Sequence, residues 1–345
     1  MKKMLITGGA GFIGSHAAEY FANAGYNVKV FDNLSRALLL KKEGNLNHNW
    51  DYLKQKGSVE LIKGDIRDQQ AIETAAKDCD VILHTAAQTA VTTSLVDPRE
   101  DFTTNSLGTF NVLEAARKNN VKSLIYCSTN KVYGHNVNNI PIKESKTRYD
   151  FEESFKKGVP VDFSIDHCEH TPYGASKLSG DIYAQDYSCI YGIKCGVFRM
   201  SCIYGTRQFG VEDQGWVAWF VIASLLNKPI TIYGDGKQVR DVLFVNDLIN
   251  AYDLFLKSNL KGGVFNTGGG PSNTLSLIEL LEIIKTKVGS IPELKYAGWR
   301  PSDQKVFVSD ITQLKKRLGW LPITKPEDGV SKIIDWSKKN INLLK

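Results

Sequence analysis

The chain has 345 residues, 42% hydrophobic and 23% charged, with 43 Lys and Arg against 37 Asp and Glu for a net charge of +6. That is enough apolar chain to bury the core of one large domain or two ordinary ones, and it excludes a disordered protein. The basic residues are scattered, forming neither a block nor a basic amphipathic helix, which excludes nucleic acid as the expected partner and suits a small anionic ligand.

MKKMLITGG at the N-terminus lacks the apolar run of a signal peptide, and no window approaches the roughly 20 apolar residues of a membrane span. A cytoplasmic protein with no membrane partner is expected. The six cysteines, at 79, 127, 168, 189, 195 and 202, form no C-x-x-C pair and several sit in apolar runs, which predicts reduced thiols. There is no internal repeat, low-complexity tract or long Pro/Gly linker.

In chain order, KMLIT (3–7), NVKVF (27–31), VELIK (59–63), DVILHT (80–85), SLIYCS (123–128) and CGVFRM (195–200) read as strands separated by helical patterns. Runs apolar on both faces between helices predict a parallel sheet covered on both sides, the doubly wound, Rossmann-like α/β class. After about residue 202 the regularity gives way to an aromatic-rich helix, ITIYGDG, VFNTGGG and a Lys-rich terminal helix. Residues 1–201, with a strand contribution near 240–270, are expected to form the dinucleotide-binding domain. Residues 202–345 are expected to form a smaller, interleaved substrate domain.

The strongest local signal is ITGGAGFIGSHAAEYFANAG, in which Gly8, Gly11 and Gly14 follow the first strand and open the first helix, with Phe12 and Ile13 between the last two. Glycines there allow a tight turn, close approach of backbone N–H groups to a pyrophosphate and close helix–sheet packing. Asp32 ends the second strand, where a carboxylate accepts from ribose hydroxyls, and Asn33 follows it. The Asp32 charge repels a 2′-phosphate, so NAD is expected over NADP, with Arg36 acting in the opposite direction.

Tyr173 and Lys177 in TPYGASKLSGD lie four apart, on one helical face. An ammonium and a bound nicotinamide cation would both lower a phenol from its usual pKa of about 10, making Tyr173 a general base. Tyr52/Lys56 and Tyr233/Lys237 share the spacing. The first pair reads as loop-like and YGDGK is too rich in glycine for a helix, so Tyr173 is preferred.

The glycine spacing G-x-x-G-x-x-G resembles the extended short-chain dehydrogenase/reductase superfamily, and further landmarks follow in order. That resemblance implies adenine contacts from Asp65 and Ile66 in KGDIRD, a loop beside the ribose and nicotinamide formed by Ala86, Ala87 and Gln88 in HTAAQTAV, and stabilisation of the active-site backbone by Asn105. In CSTNKVYG it implies that Thr129 hydrogen-bonds the substrate hydroxyl being oxidised. Sugar 4,6-dehydratases carry an Asp-Glu pair after that position, for elimination of water. Here the pair is Asn130-Lys131, so the expected chemistry is removal and return of hydride, which is epimerisation.

Thr-Asn-Lys-Val-Tyr-Gly, residues 215–251 and RPSDQKVFVSD (300–310) resemble the subgroup of CDP-paratose 2-epimerases. The resemblance implies an NAD-dependent isomerase that inverts carbon 2 of a CDP-linked hexose or deoxyhexose and keeps its NAD bound through each cycle. A homo-oligomer is expected. Two stretches depart from the pattern: SRALLLKKEGN (35–45) is more apolar than the glycine-bearing loop expected there, and DHCEH (166–170) is unfamiliar.

Thr129, Asn130, Lys131, Arg240 and Arg300 are the expected substrate contacts, the two guanidinium forks suiting a diphosphate. Surface ion pairing with Asp241 or Asp303 is the alternative for the arginines. His167, Cys168, Glu169 and His170 are metal-ligand types, but their spacing is no zinc signature and the chemistry needs no Lewis acid, so no metal is expected and a place on the substrate-pocket rim is preferred. Trp216 and Trp219 read as helix packing. A UDP-sugar 4-epimerase and a non-catalytic NAD-binding regulator remain open, and the intact Thr129, Tyr173 and Lys177 set favours an enzyme over the regulator.

Overall fold

The computed structural model describes residues 1–36 and 47–345. Most of the apolar stretch after Asp32 lies outside the described residues. The chain forms two compact units, residues 1–129, 172–199 and 252–264, and residues 130–171, 200–251 and 265–345.

The seven strands of the main sheet are β1 (Lys3–Thr7), β2 (Asn27–Asp32), β3 (Val59–Lys63), β4 (Val81–His84), β5 (Ser123–Thr129), β6 (Lys194–Met200) and β7 (Gly262–Thr267). They lie in the order β7-β6-β5-β4-β1-β2-β3 and form a parallel sheet. Ile6 of β1 pairs with Val30 on one side and Leu83 on the other. All four residues of β4 are buried, as are Met4 to Thr7 of β1. Strands apolar on both faces need helices on both faces, and the crossover helices between parallel strands provide them. One of the resulting apolar clusters joins Leu5, Phe31, Ile82, Val112, Leu124 and Val197. The strand order reverses between β1 and β4, and the loops leaving their carboxyl ends carry Gly8–Gly14 and Ala86–Gln88. Ligands of doubly wound sheets bind at such a reversal.

One local expectation is corrected. Tyr52 and Lys56 lie on a helix, His48–Lys56, which ends at Gly57 in the left-handed conformation. Asp51 in its first turn and Lys54 and Lys56 in its last complement the helix dipole. The Lys56 ammonium lies 5.3 Å from the Tyr52 ring centre, and the Tyr52 hydroxyl donates to Glu19 at 2.5 Å. Helical spacing therefore does not separate this pair from Tyr173/Lys177. Position does, because the pair precedes β3 whereas Tyr173 follows β5.

In the second unit the strand Val239–Phe244 pairs in parallel with Cys202–Tyr204 and Val306–Phe307, and antiparallel with Thr274–Ser276. Ile230–Tyr233 pairs with Leu294–Ala297, and Ile142–Glu144 with Tyr149–Phe151. The helix Leu277–Val288 opens with a reciprocal cap between Ser276 and Glu279. Among the described residues no helix is long and apolar enough to cross a membrane, and all six cysteines are free thiols.

Candidate active site

The turn after β1 is built by close approach. Gly8 has φ +69°, its N–H donates to the Phe31 carbonyl at 2.8 Å, and a Cβ on it would lie 2.5 Å from the Ala86 nitrogen. A Cβ on Gly14 would lie 2.3 Å from the Gly8 carbonyl oxygen. Only glycine fits at either place. The helix Phe12–Asn23 starts at Gly11 with no side-chain cap and no acidic residue in its first turn. Its leading N–H groups suit an anion.

Asp32 is held beside this turn, accepting from Ala10 N–H at 2.9 Å and Leu34 N–H at 2.7 Å. Burial raises its pKa, and the two N–H groups act against that rise. Asp65 accepts from Asn33 at 2.9 Å and from Arg67 at 2.7 Å. Burial opposes its ionisation, but these partners outweigh it and bring the carboxyl down to about 2. The neighbouring Ile66 is buried, and Gly108 leaves room for it. An anion cradle that a Cβ would fill, with a fixed carboxylate at the end of β2, fits a dinucleotide.

Asn105 organises the loop after β4. Its Oδ1 accepts from Gln88 N–H at 2.9 Å, and its Nδ2 contacts the Gln88 carbonyl at 3.0 Å, Asp101 at 3.1 Å and the Ser176 hydroxyl at 3.2 Å. Ser176 in turn donates to Asp101 at 2.5 Å. One buried amide thus ties the Ala86–Gln88 loop to the helix that carries Tyr173 and Lys177. The sequence reading missed Asp101 and Ser176. The signal was present in the spacing, because Asp101 and Asn105 lie one helical turn apart.

Tyr173 and Lys177 sit in the first turns of the helix Pro172–Tyr191, and Thr129 is the last residue of β5. The Tyr173 phenol and the Thr129 hydroxyl share a hydrogen bond. The Lys177 ammonium lies 4.3 Å from the centre of the Tyr126 ring, and the Tyr126 hydroxyl donates to the Lys177 carbonyl at 3.1 Å. Gly180 permits this contact, since a Cβ there would lie 2.5 Å from the Tyr126 oxygen. Asp181 accepts from Ser128 at 2.6 Å and from Nε and Nη2 of Arg199 at 2.9 and 3.0 Å, both side chains buried. Asp181, another residue the sequence reading missed, is one turn after Lys177.

Burial dominates the electrostatics of Tyr173 and Lys177 in the protein alone. Burial pushes Tyr173 up to about 12, with the Thr129 hydrogen bond pulling the other way, and burial lowers Lys177 to about 8. In the protein alone the phenol is a weaker acid than usual, because both groups are removed from water.

In the second unit, the Lys131 ammonium donates to the Ser302 carbonyl at 3.3 Å, and burial lowers it to about 8. The Asn130 amide reaches Gln304 at 3.4 Å. Arg240 pairs with Asp303 at 2.7 Å. Asp241 is fully buried and accepts instead from Gly270 and Ser309 N–H groups, each at 3.1 Å. Arg300 lies 3.8 Å over the Tyr233 ring and pairs with Asp213 at 2.8 Å. His170 Nε2 bonds the Val132 carbonyl at 2.8 Å, and Cys168 contacts the Tyr133 carbonyl, so this stretch packs under the Asn130–Asn139 turn. Among the described residues no group of three or more His, Cys, Asp or Glu is placed to hold a metal ion. Trp216 donates to the Cys202 sulfur at 3.3 Å and meets Phe220 edge-on, which is packing.

The sequence pattern of the NAD dependent epimerase/dehydratase family matches residues 4–268. The chain is 40% identical to the CDP-paratose 2-epimerase of Salmonella typhi over 97% of its length and 99% of that protein. It is 31% identical to the UDP-glucuronate 4-epimerase of Thermodesulfobacterium geofontis over 99% of this chain and 98% of that one. Among solved structures, the Thermus thermophilus UDP-glucose 4-epimerase in complex with NAD superposes with a TM-score of 0.78 at 31% identity, covering 97% and 99% of the two chains. The Thermotoga maritima UDP-glucose 4-epimerase with UDP-glucose superposes at 0.80 with 30% identity, covering 98% and 99%. The glycine cradle and the fixed carboxylate fit the cofactor of that family, and the chain belongs to it as an NAD-dependent epimerase of the NAD dependent epimerase/dehydratase family.

Proposed function

We propose that this nucleotide-sugar epimerase inverts carbon 2 of a CDP-linked hexose or deoxyhexose, taking CDP-paratose to CDP-tyvelose in the cytoplasm. The observation that carries the reading is the 40% identity with a CDP-paratose 2-epimerase along nearly the full length of both chains. Asn130 and Lys131 stand where a dehydratase carries an Asp-Glu pair to supply the acid and the base of elimination, which supports epimerisation over dehydration.

Gly8, Gly11, Phe12, Ile13 and Gly14 would hold the pyrophosphate of NAD, Asp32 and Asn33 its adenosine ribose, Asp65 and Ile66 its adenine, and Ala86, Ala87, Gln88, Tyr173 and Lys177 its nicotinamide half. When bound, NAD would supply the acceptor for hydride from the sugar carbon and the donor for its return to the other face. Tyr173, as phenolate, would take the hydroxyl proton at its oxygen, becoming the phenol, and give it back after the sugar has turned. Thr129 holds that phenol by its hydrogen bond and is the second hydroxyl at the reacting group. Lys177 keeps positive charge near the phenol and binds ribose. Burial raises the phenol to about 12, and the positive charge of an oxidised nicotinamide held beside Tyr173 would act against that rise. Arg240 and Arg300 would take the diphosphate.

Incubation of the purified protein with CDP-paratose, CDP-glucose, UDP-glucose and UDP-glucuronate, with products assigned by NMR, tests the reading. Inversion at carbon 2 of a CDP-sugar is expected. Turnover confined to carbon 4 of UDP-sugars would replace it with the second reading, which the full-length identities near 31% to 4-epimerases also support.

A further inference from the structure

The loop from Trp299 to Lys305 carries Arg300 and Asp303 and runs into the strand Val306–Phe307. Its first residues are packed, the Trp299 ring lying against Gly234 and Arg300 over the Tyr233 ring. A cavity of about 470 Å³ lies beside it, with His135, Asn138, Ile140, Ile142, Trp299 and Arg300 among its lining residues. Ser302 has φ +56°, a left-handed conformation that a serine adopts only when its surroundings hold it there.

Hydrogen bonds from the turn after β5 do that holding. Asn138 clamps the loop with both ends of its amide: Nδ2 donates to the Asp303 carbonyl at 3.0 Å, and Oδ1 accepts from Lys305 N–H at 3.4 Å. Lys131 donates to the Ser302 carbonyl, and the Gln304 amide bridges Asn130 at 3.4 Å and the Gly134 carbonyl at 3.5 Å. The anchor itself is firm, since Val132 and Tyr133 are fully buried and the Tyr133 hydroxyl donates to Asn266 at 2.6 Å. On the far side of the loop, Asp303 Oδ1 accepts from Arg240 at 2.7 Å and from Gln304 N–H at 2.9 Å.

We propose that Asn138 and Lys131 are positioning residues: by fixing the carbonyls of Asp303 and Ser302 they set the carboxylate that aims Arg240 at the nucleotide diphosphate. The proposal rests on the reading of Arg240 as a diphosphate contact. It gives Lys131 a task in nucleotide binding that is separate from any contact with the sugar.

Binding of CDP to the protein as purified, measured by calorimetry, separates these roles, because CDP carries no hexose. Asn138→Ala and Lys131→Met should each weaken CDP by about tenfold, the worth of one or two hydrogen bonds, with NAD content unchanged. The double variant Asn138→Ala/Arg240→Met should bind no more weakly than Arg240→Met alone, since Asn138 acts through Arg240. With the natural substrate, Asn138→Ala should raise KM and leave kcat near wild type. Unchanged CDP affinity in Arg240→Met overturns the diphosphate reading and the proposal with it. A loss in Arg240→Met with none in Asn138→Ala, or an additive loss in the double variant, overturns the positioning role alone. A Lys131→Met protein that binds CDP normally and fails only with the sugar nucleotide returns Lys131 to direct sugar contact.

Discussion

Two residues in the first unit hold protonation states that their surroundings impose, and each gives an expected outcome. Tyr173, raised to about 12 by burial, should remain a phenol through neutral pH when NAD is absent. Ultraviolet difference titration of NAD-free wild type against Tyr173→Phe should therefore show no additional tyrosinate below about pH 10. One appearing near pH 7 would mean that the protein alone activates the base. The same substitution should lower kcat by about 10³-fold with NAD content unchanged, and wild-type activity should fall as pH drops through the working pKa of the loaded enzyme. His84 is the second case. It is fully buried between the hydroxyls of Thr7 at 2.7 Å and Thr109 at 3.0 Å, and burial, with the Lys177 charge adding to it, lowers it to about 3. A base whose folded pKa is depressed contributes its full stability above the unfolded value of 6.5 and loses it as pH falls, because only the unfolded chain takes the proton. Between about pH 6.5 and pH 5.5 wild type should lose about 1 kcal/mol more than His84→Gln in urea unfolding, and equal losses would contradict the assignment.

At the scale of elements, the helix Pro172–Tyr191 matters most, because it carries both Tyr173 and Lys177. Its contact with β6 includes a buried charge pair, Asp181 with Arg199. Such a pair adds little net stability over apolar packing, yet breaking it strands a charge in the core. Arg199→Met alone should destabilise the protein by about 3–5 kcal/mol in chemical denaturation, and Asp181→Leu/Arg199→Met should recover most of that loss. A single variant within about 1 kcal/mol of wild type would show that water reaches the site. The β1–β5 strands and the glycine turn were legible in the sequence because period, turn chemistry and burial agree there. The helix His48–Lys56 was misread as loop-like, because its few apolar residues give a weak periodic signal. Its capping glycine and charge order were the better guide.

For the molecule as a whole, the epimerase reading demands that hydride leave and return within one binding event. The protein should purify with NAD, identified by mass spectrometry after denaturation, and should turn over without added cofactor. Substrate carrying deuterium at carbon 2 should give product that keeps it there, with no solvent hydrogen incorporated, and washout of the label would indicate enolisation instead. The sequence by itself determined the doubly wound class, the glycine turn at Gly8–Gly14 and the placing of Tyr173 and Lys177 on one helical face, because these depend on residues near one another in the chain. It also carried the absence of an acidic pair at Asn130-Lys131, which a local motif displays in full. Only the tertiary structure decided that Arg240 pairs with Asp303 rather than Asp241, that Asn138 clamps the loop bearing Asp303, and that burial moves Tyr173 upward and Lys177 downward. Those outcomes depend on which distant segments meet and on how much water they exclude, and neither is written in the spacing of residues along the chain.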